Sequence, residues 1–250
     1  MALEETLAEL RSLAHPARLR ENARVAIPAD GLGITIPALR KLAKTLRPDH
    51  KLALELWATG IHEARHLAAM VDDPVVVTEA QLEQWVGDFD SWDICDGACV
   101  LFERTPFGWA KAVEWSEREE EFVRRAAFTL IAYFAVHDKS ADDARFLALL
   151  PLIRACADDD RNFVKKAVNW ALRSIGKRNL ALNAAAIDMA EQIRADGTRS
   201  GRWIASDALR ELRGDAVQAR LRQKAALREQ GRQVQAKPIE SETRVRAREA

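Results

Sequence analysis

The chain has 250 residues, with 38 Lys plus Arg against 38 Asp plus Glu and a pI near 7.0. At 28.0 kDa it can bury a large core without disulfides or metals as staples, and 48% hydrophobic content beside 30% charged residues excludes wholesale disorder. A net charge of zero argues, at first sight, against a protein that works on nucleic acid.

The opening MALEETLAEL is acidic and lacks the basic and apolar regions of a secretory signal. No run of about 18 apolar residues is present to span a bilayer. Cys95, Cys99 and Cys156 are few and odd in number, which suits reduced thiols in a cytoplasm and not a disulfide framework. The chain is rich in Ala, Leu, Arg and Glu, all good helix formers, and poor in Gly and Pro. No segment alternates apolar and polar residues between turn signals, so the expectation is all-α.

The first third reads as helices over roughly 37–46, 50–59, 61–71, 78–86 and 91–104. Turns are expected at Pro48-Asp49, Asp72-Asp73-Pro74, Thr105-Pro106, His137-Asp138 and Asp158-Asp159-Asp160, each followed by a helix start. Val123, Ala126, Ala127, Leu130, Ile131 and Phe134 form one helical stripe; Val164, Val168, Ala171, Leu172 and Ile175 form another. Shorter helices are expected over 141–157 and 181–195. Phe122-Val123-Arg124-Arg125-Ala126 resembles Phe163-Val164-Lys165-Lys166-Ala167, and Trp203-Ile204 begins a third copy at the same interval of about 40 residues. Two helices per unit at that period predict a HEAT-like α-solenoid of about six antiparallel helix pairs with a concave groove. Residues 1–230 then make one repeat domain, ending in an amphipathic helix over 215–230, and 231–250 read as a disordered basic tail.

Three motifs could carry chemistry. His62-Glu63-Ala64-Arg65-His66 is formally H-E-x-x-H on a helix, a zinc-hydrolase pattern. Asp72 stands where an extended motif would place a third His, and no third-ligand donor stands out downstream. The plainer expectation is a solvated helix face, with no metal and no organic cofactor. Asp88-Phe89-Asp90-Ser91-Trp92-Asp93-Ile94-Cys95-Asp96 packs four carboxylates into nine residues. Asp90 or Ser91 can cap the helix and Asp93 suits its first turn. Asp96, at i+4 from Trp92 and on the same face, exceeds what capping needs. Cys95 and Cys99 read as small core residues. In the third motif, Lys166, Trp170, Arg173 and Lys177 fall at i, i+4, i+7 and i+11, with Arg178 beside them. They form either a platform for phosphates and a cationic group or a core-edge Trp under snorkelling stems. Arg125 holds the repeat position of Lys166.

Across residues 30–213, GLGITIPALRKLAK, DSWDICD, FVRRAAF, RNFVKKAVNWALRSIGKRN and GRWIASDAL resemble the bacterial DNA alkylation-repair glycosylases built on HEAT-like repeats. The resemblance implies duplex DNA carrying alkylated bases as partner, and hydrolysis of the N-glycosidic bond of cationic N3- or N7-alkylated purines without a cofactor. It implies groove tryptophans at Trp92 and Trp170, a catalytic aspartate at Asp96 and a backbone-binding arginine at Arg125; the basic helical face of Lys166, Arg173 and Lys177, with Arg178, is expected to add further DNA contacts. A monomer in the cytoplasm is the matching expectation. The same fold also serves relatives that bind DNA without cleaving it, so a non-catalytic DNA- or protein-binding solenoid is the alternative. The zero charge then becomes a sum over unlike regions: from Gln218 onward nine basic residues face four acidic ones, leaving an acidic body in which basic residues cluster on the repeat helices.

Overall fold

The computed structural model describes residues 2–28 and 31–235. Among the described residues there are fourteen α-helices and no strand: α1 (Leu3–Ser12), α2 (Leu19–Arg24), α3 (Ile36–Ala43), α4 (His50–Ala58), α5 (His62–Val71), α6 (Glu79–Gly87), α7 (Trp92–Phe102), α8 (Gly108–Glu114), α9 (Glu121–His137), α10 (Asp143–Ala155), α11 (Asn162–Gly176), α12 (Leu180–Asp196), α13 (Arg199–Leu212) and α14 (Asp215–Gln235). Short 3-10 turns lie at Pro16–Arg18 and Trp115–Glu117. None of these helices is long and apolar enough to cross a membrane.

The helices expected from periodicity coincide with α3–α7, α9–α12 and α14 to within about one turn. The expected turns fall between helices, except that His137 is the last residue of α9. Sequence periodicity leaves α1, α2 and α8 unmarked; for α2 and α8, six or seven residues carry too few turns to show a stripe. Helix α14 continues through Gln235, past the expected end at Gln230; the rest of the expected tail, 236–250, lies outside the described residues. Caps explain many of the starts. Thr35, Asp49, Thr78, Asp142, Asn179 and Thr198 each accept a backbone N–H from the first turn of the helix they precede.

Helices α3, α5, α7, α9, α11 and α13 pack successively into one row. The intervening helices back it: α4 on α5, α8 on α9, and α12 on both α11 and α13. This is the two-layer HEAT-like solenoid that the repeat predicts. The stripe Val164, Val168, Ala171, Leu172 and Ile175 is wholly buried, as is the stripe Val123, Ala126, Ala127, Leu130, Ile131 and Phe134 on α9. Phe122 and Phe163, equivalent in the repeat, stand 5.6 Å apart at the edge of the two helices. Farther toward the N-terminus, Trp57 and Trp85 stack with centroids 4.0 Å apart and continue through Phe89 and Phe102 to Trp115.

The HEARH segment is not a solvated face. His62, Glu63 and His66 are only 7%, 2% and 4% exposed, because α5 sits inside the row between α3 and α7. Glu63 accepts backbone N–H bonds from Leu32 (2.7 Å), Gly33 (2.7 Å) and Ile34 (3.3 Å). It thereby ties the chain entering α3 to α5. Gly33 has φ +73°, and a Cβ there would lie 2.4 Å from the carbonyl oxygen of His15, so this loop requires glycine. Truncation of Glu63 to Ala strands three backbone donors in a buried loop. It is expected to cost roughly 2–4 kcal/mol in urea unfolding, with Glu63→Gln losing less because it keeps an acceptor; a change below about 1 kcal/mol for Ala would refute this role.

Candidate nucleic-acid interface

Four carboxylates in nine residues repel unless each has its own partner. The fold supplies four different ones. Asp88 accepts from the Trp57 indole N–H at 2.9 Å. Asp90 lies 3.6 Å from Arg65 and accepts from the Ser91 hydroxyl. Asp93 Oδ2 accepts from His62 Nε2 at 2.8 Å and His66 Nε2 at 3.1 Å. Asp96 meets Arg125. Ser91, in extended conformation, precedes α7 without a side-chain capping bond. The helix then carries Trp92 and Asp96 one turn apart on one face.

The Asp96–Arg125 contact is bidentate. Nε donates to Oδ1 at 3.0 Å and Nη2 to Oδ2 at 2.8 Å. The Thr129 hydroxyl donates to Oδ1 at 3.1 Å, and Arg125 Nη1 donates to the Phe163 carbonyl at 2.8 Å. Burial pushes the Asp96 carboxyl above its ordinary value, against the pull of Arg125 and Thr129. Burial also works against the Arg125 charge, and the Asp96 carboxylate more than offsets it. The guanidinium carbon lies 5.9 Å from the Trp92 ring centroid. Two turns further along α9 from Arg125, the Tyr133 hydroxyl donates to the Asp96 carbonyl at 3.2 Å. Tyr133 meets Trp170 edge-on, with centroids 5.3 Å apart. Trp92 thus neighbours the Asp96–Arg125 pair, and Trp170 reaches the Asp96 backbone through Tyr133. Neither Thr129 nor Tyr133 stands out in the sequence, although their spacing from Arg125 places all three on one face of α9.

The expected basic residues have unlike fates. Arg125, 6% exposed, spends three of its N–H groups inward and is not presented as a phosphate contact. Arg173 and Lys177 pair with Glu211 at 2.6 and 2.7 Å, and Arg173 also approaches Asp207. Arg178 donates to the carbonyls of Phe134, Ala135, Asp138 and Ala141, fastening the end of α9 to α11. Lys166 is exposed. The acids from α13 were findable, since the repeat period sets Asp207 and Glu211 on the helix next to α11. Trp92 and Trp170 are both half-buried and open onto different cavities. One, of about 520 Å³, is lined by Arg24, Val25, Trp92, Arg125 and Lys166. The other, of about 740 Å³, holds Trp170 beside Lys139, Lys177 and residues of α14. The Trp92 indole N–H donates to the Val25 carbonyl at 2.9 Å, which lays the segment after α2 against it.

Among the described residues, His62, His66 and Asp93 form a group whose ligand atoms all lie within 4.8 Å of one another. Asp93 is the third donor that the sequence did not reveal, because it comes from the next helix of the row. Two imidazoles and a carboxylate suit a divalent cation. The hydrolase reading of HEARH is opposed by Glu63, which is 2% exposed and already accepts three backbone N–H bonds, an environment that suits a structural carboxylate and not a base facing a metal-bound water. The Asp93 carboxyl is held well below its usual range; burial works against this, and its bonds to His62 and His66 outweigh the burial.

The comparisons with known proteins fall on this geometry. No curated protein matches the chain. Three chains among the solved structures match, and one of them does so with a TM-score of 0.75 at 17% identity, covering 88% of this chain and 96% of its own. It is described as a new family of proteins related to the HEAT-like repeat DNA glycosylases, with affinity for branched DNA structures. At that identity it speaks for the fold alone. The family model for DNA alkylation repair enzymes matches residues 6–212, which include α7, α9 and α11 with the whole Trp92–Asp96–Arg125–Trp170 cluster. The chain belongs to the DNA alkylation repair enzyme family.

Proposed function

We propose that the protein is a monofunctional DNA glycosylase that hydrolyses the N-glycosidic bond of positively charged N3- or N7-alkylated purines in duplex DNA. The observation that carries this reading is the fixed Asp96 carboxylate with a half-buried tryptophan near each end of residue 96: Trp92 reaches the carboxylate through Arg125, and Trp170 reaches the Asp96 backbone carbonyl through Tyr133.

A cationic purine leaves with the electron pair of the C1′–N bond, which neutralises its ring. It therefore needs no strong acid. Positive charge develops on the sugar as an oxocarbenium-like ion. Asp96 is suited to stabilise that charge and to orient the water whose oxygen bonds to C1′. The tryptophan faces suit the cationic base and sugar. Arg125 is here a positioning residue, holding the Asp96 carboxylate in one rotamer through two parallel bonds. In this reading phosphate contact passes to Lys166, exposed one repeat later on the cavity that Trp92 and Arg125 also line, with Arg173, Lys177 and Arg178 shaping the groove beside it.

The second reading is a non-catalytic DNA-binding solenoid. The tight Asp96–Arg125 pair favours it, as does the structural neighbour's affinity for branched DNA. Release of 7-methylguanine and 3-methyladenine from methylated duplex separates the two. The glycosylase is expected to release base, and Asp96→Asn to lower the single-turnover rate about 10²- to 10³-fold, as for loss of one preorganised electrostatic group. Trp170→Ala is expected to lower it about 3- to 30-fold, from a cation–π contact of roughly 0.5–2 kcal/mol. DNA binding with no base released from any alkylated duplex would leave only the second reading.

The reaction needs Asp96 ionised. Because burial raises its pKa, base release above the uncatalysed background should fall with acidification before an ordinary aspartate would protonate. Thr129→Val, which removes a donor to the carboxylate, is expected to move this acid limb to still higher pH. An acid limb in the ordinary aspartate range, unmoved in Thr129→Val, would overturn the assignment.

A further inference from the structure

The strongest unassigned feature is the cleft between the ends of α9 and α11 and the last helix, α14. The family match ends at residue 212, before α14 begins at Asp215. Leu221 is buried and seats α14 on the solenoid. Its neighbours Arg220, Lys224 and Arg228 then face the cavity of about 740 Å³, across from Lys139 and Trp170. Lys224 Nζ reaches only a backbone oxygen, that of Lys177, at 3.3 Å, and Lys139 Nζ likewise bonds the Val136 carbonyl. Among the described residues none of these four cations forms an ion pair with a carboxylate. The acid lining the cleft, Asp143, is engaged by the Asn179 amide through both oxygens. Burial, and then Arg220, Lys139, Arg228 and Arg178, lower the Lys224 pKa, so the cations act on one another.

Four cations beside a single carboxylate, Asp143, leave a surplus of positive charge that an anion would offset. A lone small anion would meet two or three of them. Four cations spread along a cleft on two elements, continuous with Trp170, match the repeating charge of a phosphodiester backbone. We propose that Lys139, Arg220, Lys224 and Arg228 form a phosphate-binding clamp for the DNA strand that runs past Trp170, with α14 supplying a grip beyond the family's own repeats. This rests on the reading of the protein as DNA-binding.

The test is fluorescence anisotropy of the full chain with an undamaged duplex of about 25 base pairs across a salt series. Each lost phosphate contact removes about 0.9 from the slope of log K against log salt. The triple variant Lys139→Ala/Arg220→Ala/Lys224→Ala is expected to lower the slope by roughly 2–3 and weaken binding at low salt. The charge-keeping pair Lys139→Arg/Lys224→Arg is expected to retain the wild-type slope. Thermal unfolding by circular dichroism checks that α14 still docks in each. Wild-type binding with an unchanged slope in a folded triple variant would overturn the clamp and leave the DNA reading standing. Absence of wild-type DNA binding would overturn the DNA reading and the clamp with it. Wild-type stabilisation by inorganic phosphate alone, abolished in the triple variant while the DNA slope is unchanged, would assign the cleft to a free anion instead.

Discussion

The Asp96–Arg125 ion pair is the interaction on which the candidate site depends. A carboxylate largely removed from water costs several kcal/mol unless a cation meets it with good geometry. Here the guanidinium does so through two parallel bonds, and Thr129 adds a third. Because Arg125 also donates to the Phe163 carbonyl, the pair joins α7, α9 and α11, three successive helices of the row. A shift of α9 by one residue would turn Arg125, Thr129 and Tyr133 away together, since all three use the same face. The contact therefore sets helix register as well as carboxylate orientation, and Trp92 and Trp170 take their places from it.

The same logic governs the rest of the charge. Several ionic groups on the inner helices are matched by one from a neighbouring repeat: Asp93 by His62 and His66, Arg173 and Lys177 by Glu211, Arg124 by Asp159. Arg178 is spent on carbonyls at the end of α9 instead. A zero net charge thus hides local pairing across the solenoid. It says little about the surface. The described cations without a carboxylate partner include Lys166 near Trp92, and the α14 cations with Lys139 near Trp170. In the proposed reaction the two tryptophans stand on either side of α9, each with its own source of positive potential for a phosphate backbone.

The sequence by itself determined the fold class, because Ala-rich helical stripes, well-placed caps and a period of about 40 residues are local or periodic properties that the chain carries in one dimension. It also singled out Trp92, Asp96 and Trp170, since an acid one turn beyond the cap and a Trp within a basic face exceed what helix formation requires. The partners were decided only by the tertiary structure. Arg125 looks like a free cation until α7 is laid beside α9. The HEARH segment looks solvated until α5 is enclosed by its neighbours and Glu63 meets the backbone at Gly33. Arg173 looks available until α13 brings Glu211 to it. In each case the residue types were legible, while their protonation, exposure and availability depend on what the adjacent repeat places within about 3 Å, a distance at which one hydrogen bond changes a group's role.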